Sequence, residues 1–180
     1  QLSLFGGPMF FITKILEVFV LVDKMKDFDP DNNFVPVFWM ASEDHDFEEI
    51  SSINLFNQKL TWENKSKGSV GRFDLLGIDL LIEEIKSILG DGEHSLKIIE
   101  VLNNSYLRSS NLAEATMLFA HEIFGSRGLL VLNPDNVILK KHFVDVAKKE
   151  LEDKVVSSCL ANRENELSNY KLIVSPREIN

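Results

Sequence analysis

The sequence predicts an α/β fold in which short parallel strands alternate with helices. Three observations point there. The runs VPVFWM (Val35 to Met40) and LLVL (Leu129 to Leu132) are apolar on both faces, as strands of a covered parallel sheet are. Helical stripes of apolar residues lie between and after them. The composition, 180 residues with 44% hydrophobic and 26% charged, can bury a real core in one ordinary domain or two small ones and lies far from the disordered range.

In chain order, Gly6, Gly7 and Pro8 precede a helix from Met9 to Lys26, with proline expected at its first turn. Phe11, Ile15, Phe19 and Val22 share one face of it. The apolar stretch Met9 to Val22 is interrupted by Lys14 and Glu17 and is shorter than the ~20 residues of a bilayer span, so it reads as a core helix. No secretory signal is visible. DPDNN (Asp29 to Asn33) turns the chain into the first strand. Runs at Ile53 to Phe56 and Lys59 to Trp62 flank Asn57-Gln58 as a hairpin, and KSKGSVGR (Lys65 to Arg72) reads as a flexible link.

Helices follow at Ile78 to Leu89 and Glu93 to Asn103. Asn111 with Glu114 three residues on is a capping-box pattern, opening a helix that Gly125 ends. After the second strand, Leu139, Phe143, Ala147, Leu151, Val155 and Cys159 recur every four residues, predicting one long helix. KLIV (Lys171 to Val174) looks like a third strand. The organisation expected is a first part of the sheet core at 1–52, an inserted connective segment at 53–110, and a return to the core at 111–180.

A formal charge of −9 disfavours nucleic acid or an anionic membrane as partner, since both need clustered Lys and Arg. The one cysteine, Cys159, fits a reducing cytoplasm and offers no Cys-pair metal motif. Its place on the apolar stripe predicts a core thiol.

The stretch FWMASEDHDFEEI (Phe38 to Ile50) ends a strand and breaks at once into acids around His45. Ligands of open α/β sheets sit beyond the carboxyl ends of strands. Asp44 or Asp46 could fix the tautomer of His45 for general-base work, or the group could hold a divalent cation. Equally, Ser42 could cap a helix whose first turn collects Glu43, Asp44 and Asp46. Pattern alone leaves these open, and no diagnostic metal-ligand spacing is present. The LFGGP turn could offer amides to an anion, with Lys14 in reach, or be plain turn chemistry. His94, His121 and His142 read as ordinary helix residues.

Four segments, LFGGPMFFITK (Leu4 to Lys14), VPVFWMASEDHDFEEI (Val35 to Ile50), SVGRF (Ser69 to Phe73) and FGSRGLLVLNPDN (Phe124 to Asn136), resemble in order and spacing the bacillithiol biosynthesis cysteine-adding enzymes. The resemblance covers essentially all of this chain. It implies a Rossmann-like core similar to class I aminoacyl-tRNA synthetases, with an inserted connective segment. It also implies a carbon–nitrogen ligase joining cysteine to the amino group of glucosaminyl-malate. ATP is the implied energy source, by analogy with synthetases that form adenylates, and no metal is firmly implied.

The same resemblance gives Glu43, Asp44, His45 and Asp46 as the acidic motif, with Asp44, His45 and Asp46 catalytic and Glu43 supporting. Lys14 and Gln1 would bind substrate, and Gly6, Gly7 and Pro8 would face the nucleotide. Family members begin before the glycine turn and continue past Asn180 into more sheet and a coiled coil through which a homodimer could form. The 180 residues alone are therefore expected to be inactive. Phe10 and Thr13 stand where relatives often have tyrosine, Ser51 and Ser52 where they have Asn-His, and Asn133 where they have Asp. Two other readings compete: a non-catalytic Rossmann-like module that binds a small molecule, and a metal-dependent hydrolase using Glu43 to Asp46.

Overall fold

The computed structural model describes residues 2–168 and 170. Gln1 and the strand expected at Lys171 to Val174 lie outside the described residues. The chain divides into two compact units, Gln1–Asp135 and Asn136–Asn180.

In the first unit, helix α1 (Phe10–Phe28) buries Phe11, Ile15 and Phe19, the face its four-residue spacing predicted. Strand β1 (Val37–Trp39) pairs in parallel with β4 (Leu130–Leu132), in the register Val37 to Leu130, Phe38 to Val131 and Trp39 to Leu132. Phe38 and Val131 face the core, and the Phe38 ring meets Phe11 edge-on at 5.2 Å between centroids. The opposite face is open: Val37 is 45% exposed and Trp39 66%. The expectation of strands covered on both sides therefore holds on one side. An apolar run records that a face suits burial, but it does not supply the layer that covers it.

Strands β2 (Ser52–Leu55) and β3 (Gln58–Thr61) form the expected antiparallel hairpin, with Leu55 opposite Gln58. The turn falls one residue earlier than the expected Asn57-Gln58: Phe56 and Asn57 both have positive φ, as tight two-residue hairpins require, and Gln58 joins β3. Helices α2 (Ile78–Leu89), α3 (Glu93–Tyr106) and α4 (Leu112–Phe124) follow close to their predicted bounds and belong to the same unit. Leu4, Ile82, Leu102, Leu112 and Phe119 are among the core side chains they share with α1. Each large apolar side chain so buried contributes roughly 1.5–3 kcal/mol.

The glycine turn is fastened to this core. Leu4–Gly6 forms one 3-10 turn in which Phe5 and Gly6 both take positive φ. The Phe5 amide donates to the Tyr106 hydroxyl at 2.8 Å, and the two rings meet at 4.6 Å. Tyr106 is buried at the end of α3, and burial pushes its phenol well above the ordinary range. The Gly7-Pro8 peptide is cis and α1 begins at Phe10, so Pro8 belongs to the turn and not to the first helical position.

Helix α4 carries the predicted cap. Asn111 Oδ1 accepts from the Glu114 amide at 2.9 Å. Glu114 Oε2 reaches back to the Ser110 amide and hydroxyl, 2.7 Å each. These bonds to Ser110, the backbone one first, hold the Glu114 carboxyl below its ordinary value. A lowered folded-state pKa gives stability that is present above the unfolded value and is lost as pH falls through the folded one. Hydrogen-exchange protection at the start of α4, taken relative to the intrinsic rate at each pH, is therefore expected to fall as pH drops through the carboxylate range, and Glu114→Gln is expected to flatten that dependence. Equal acid sensitivity in the variant would contradict this assignment.

The second unit replaces the single long helix with three: α5 (Val137–Lys141), α6 (Val144–Asp153) and α7 (Val155–Ser168). Lys154 takes left-handed dihedrals, and the Glu150 side chain accepts from the Val156 amide at 2.9 Å, which starts α7 afresh. The four-residue stripe is not buried: Phe143 is 64% exposed and Leu151 82%. Cys159 is exposed as well, so the core-thiol expectation fails with the stripe that carried it. Among the described residues no helix is long and apolar enough to cross a membrane.

Candidate active site at the carboxyl ends of the parallel strands

Because β1 and β4 run in parallel, their carboxyl ends open on the same edge. The ladder continues one step past β1, where the Met40 amide donates to the Leu132 carbonyl at 3.0 Å. Ser42 follows, fully buried, and its hydroxyl donates to Asn133 Oδ1 at 2.6 Å, tying the loop after β1 to the loop after β4. The Asp135 amide also donates to Asn133 Oδ1, at 3.1 Å. Asn133 thus acts through its oxygen, an acceptor role that an aspartate could fill equally.

A third segment closes over these loops. Val70–Arg72 forms a 3-10 turn whose Val70 amide donates to the Asp44 carbonyl at 2.7 Å and whose Gly71 amide donates to the Ser42 carbonyl at 3.0 Å. A side chain on Gly71 would place Cβ 2.6 Å from that carbonyl oxygen, so only glycine allows the approach. Arg72 then reaches Asp135 with two parallel bonds, Nε to Oδ2 at 2.5 Å and Nη2 to Oδ1 at 2.7 Å. The hydrogen bond to Asp135, its charge, and a smaller effect of Glu43 hold the Arg72 guanidinium above its ordinary value. The segment read from sequence as a flexible link therefore ends in a buried, bonded turn.

The acidic loop is ordered from within. Asp44 Oδ1 accepts from the amides of His45 at 2.7 Å and Asp46 at 3.2 Å, a turn that aspartate side chains favour. Asp46 Oδ1 accepts from the Glu49 amide at 3.3 Å. Phe47 packs against Trp62 and Phe73, with both centroid distances 5.4 Å, and Ile50 is buried, which turns the charged side chains outward. No helix starts at Ser42, so the capping reading of these acids is overturned: the serine hydroxyl is committed to Asn133 instead. The His45 side chain is 90% exposed, with Nδ1 3.7 Å from Asp44 Oδ1, an ion pair when the imidazole is protonated.

The other candidate residues form a second group. Lys14 and Pro8 line a cavity of about 330 Å³ beside β1, together with Phe10, Phe11, Phe38 and Trp39. Glu43 to Asp46 are not in its lining. Gly6 is buried with its missing Cβ pointing at the Phe119 ring, and Gly7 lies near Ile53. Gln1 lies outside the described residues. Among the described residues no three His, Cys, Asp or Glu side chains gather as a metal cage.

Sequence reasoning missed the supporting set of Ser42, Gly71, Arg72, Asn133 and Asp135. Its signals, a lone glycine before arginine and an Asn-Pro-Asp turn, gain meaning only once segments 63 residues apart are brought together.

A small parallel sheet with an ordered, acidic, histidine-bearing loop at its carboxyl edge defines a Rossmann-like α/β domain. A family profile described as the N-terminal Rossmann-like domain of the bacillithiol biosynthesis protein BshC matches residues 1–180, and the chain belongs to that family. It is 41% identical over 184 residues to a protein of Flavobacterium psychrophilum, 40% over 182 residues to one of Cytophaga hutchinsonii and 37% over 180 residues to one of Flavobacterium johnsoniae. All of this chain is covered in each case, and 33–34% of each relative. Each relative is provisionally named cysteine ligase BshC. The chain thus spans about a third of the length of the curated relatives it matches.

Proposed function

We propose that this chain carries the acceptor-activating part of a cytoplasmic ligase that forms an amide between cysteine and the amino group of glucosaminyl-malate, in bacillithiol biosynthesis. The observation that carries the reading is the acidic loop Glu43 to Asp46, fixed at the carboxyl edge of the strands by Ser42, Gly71 and Asn133. An amine reaches a ligase as an ammonium ion and attacks only as the free base. Carboxylates at Glu43 and Asp46 hold the cation in place, and His45, adjacent and exposed, takes its proton. Asp44 orders the turn through the His45 and Asp46 amides and lies within ion-pair range of the imidazolium that results.

ATP supplies activation of the cysteine carboxyl group when bound. The cavity beside Lys14 has the volume of small-ligand sites, with an ammonium and the apolar walls of Phe10 and Trp39, and so suits a nucleotide. Pro8 of the glycine turn lines this cavity and would face the nucleotide, while Gly6 and Gly7, whose amides bond to Ser3 and Leu4, shape the turn behind it; Lys14, in the same lining, and Gln1 would complete the substrate side. Pairing of complete proteins through a coiled coil outside this chain belongs to the same reading.

The test is a mass-spectrometric product assay on the complete polypeptide that carries this chain, with cysteine, glucosaminyl-malate and Mg-ATP. The expected result is a product at the summed substrate mass less one water. Intact substrates beside a well-folded protein that binds them would instead favour the non-catalytic binding module.

A further inference from the structure

Arg72 has a place in the site that its pair with Asp135 does not exhaust. The Asp135 side chain is 11% exposed and fixes one edge of the guanidinium, using two of its five N–H donors. The Arg72 side chain is nevertheless 68% exposed. A purely structural clamp gains from burying both partners; here the carboxylate is buried and the cation is presented. The backbone places that cation beside the acidic loop, because the Gly71 amide bonds to the Ser42 carbonyl and Arg72 and Glu43 are the next residues on the two sides of that contact. The edge therefore offers a guanidinium held by Asp135 with Glu43 near enough to act on it, at the start of the loop that also carries Asp44 and Asp46. That charge order is complementary to a molecule with both a carboxylate and an ammonium group.

We infer that Arg72 is the carboxylate anchor of a zwitterion site: its outer edge takes a substrate carboxylate while Glu43 and Asp46 take the ammonium of the same molecule. Asp135 is the positioning residue that fixes the guanidinium through Nε and Nη2. The inference rests on the ligase reading for the identity of the zwitterion. Both cysteine and glucosaminyl-malate carry an amine and a carboxylate, and the experiment separates them.

Calorimetry on the complete polypeptide would compare cysteine with cysteamine, and glucosaminyl-malate with methyl glucosaminide, each second member lacking the carboxylate. In the unsubstituted protein at least a tenfold preference for the carboxylate-bearing member is expected in one pair. Arg72→Lys keeps the charge but loses the planar fork, and is expected to abolish that preference with little change for the carboxylate-free member. Asp135→Asn, which retains the guanidinium, is expected to weaken the preference less than Arg72→Lys does.

The pair that responds names the substrate. Loss of both members alike in Arg72→Lys, matched by Asp135→Asn, would make Arg72 a clamp and overturn the inference. So would unchanged binding, or absence of any carboxylate preference in the unsubstituted protein. Binding is read without turnover, so a carboxylate preference lost in Arg72→Lys stands even if the product assay fails. An active ligase with no such loss would sink the anchor alone.

Discussion

Gly71→Ala is expected to destabilise the protein by roughly 1–3 kcal/mol and to reduce amide formation by more than the lost folded fraction accounts for. The added carbon would lie 2.6 Å from the Ser42 carbonyl oxygen and 2.7 Å from Ser42 Cβ. Both atoms belong to a fully buried residue fixed by the Gly71 amide and by Asn133. Neither can swing aside as the end of a flexible side chain would, so the turn at Val70–Arg72 must back away. That movement breaks the bonds that seat Ser42 and Asp44 and takes Arg72 with it. Chemical denaturation and the product assay together check the prediction. A variant with an unchanged unfolding midpoint and full activity would show that the turn does not hold the loop.

Gly6→Ala is expected to cost more. Gly6 has φ of +70°, a region that costs an L-residue about 1–2 kcal/mol. A Cβ there would also stand 2.5 Å from Phe119 Cε1 and 2.9 Å from Cζ, inside the packed core. Overpacking adds roughly 1–3 kcal/mol. Phe119 has little room to yield, because its ring is tilted against Phe11 and meets Tyr106 edge-on, both centroid distances being 6.2 Å. The loss should appear as a clear fall in melting temperature, with the Phe5 to Tyr106 bond weakened as the turn shifts. An unshifted melting temperature would contradict the tight seating of the glycine turn. Gly7, with φ of −88° and a nearest neighbour 3.4 Å from its virtual Cβ, is expected to tolerate alanine better.

The parts of the fold legible in the sequence are those whose causes are local. The Asn111 and Glu114 cap, the existence of the β2–β3 hairpin, though not its exact turn, and the apolar face of α1 each depend on residues within one or two turns of chain. The two parallel strands were visible as apolar runs, and their pairing across 93 residues followed from the helices between them. Illegible was whatever depends on a layer or a distant partner. The stripe from Leu139 to Cys159 has the spacing of one helix, yet the Glu150 side chain and the left-handed Lys154 divide it.

At the candidate site the same division holds. The acidic loop announces itself by composition and by its position after a strand. Its supports do not: Ser42 has the local context of a helix cap, yet its hydroxyl bonds to Asn133, and Arg72 lies in a linker-like stretch, yet pairs with Asp135. A single sequence contains no record of such long-range pairs.

In the proposed reaction the loop at the end of β1 performs proton transfer in amide formation. The most direct test of that role is the specificity constant for glucosaminyl-malate in His45→Ala, measured on the complete polypeptide with folding checked by circular dichroism. His45 is 90% exposed and supports no packing, so a well-folded variant is expected. A fall of about 100- to 10,000-fold is expected, the range that general-base catalysis supplies. A folded variant with an unchanged specificity constant would contradict it.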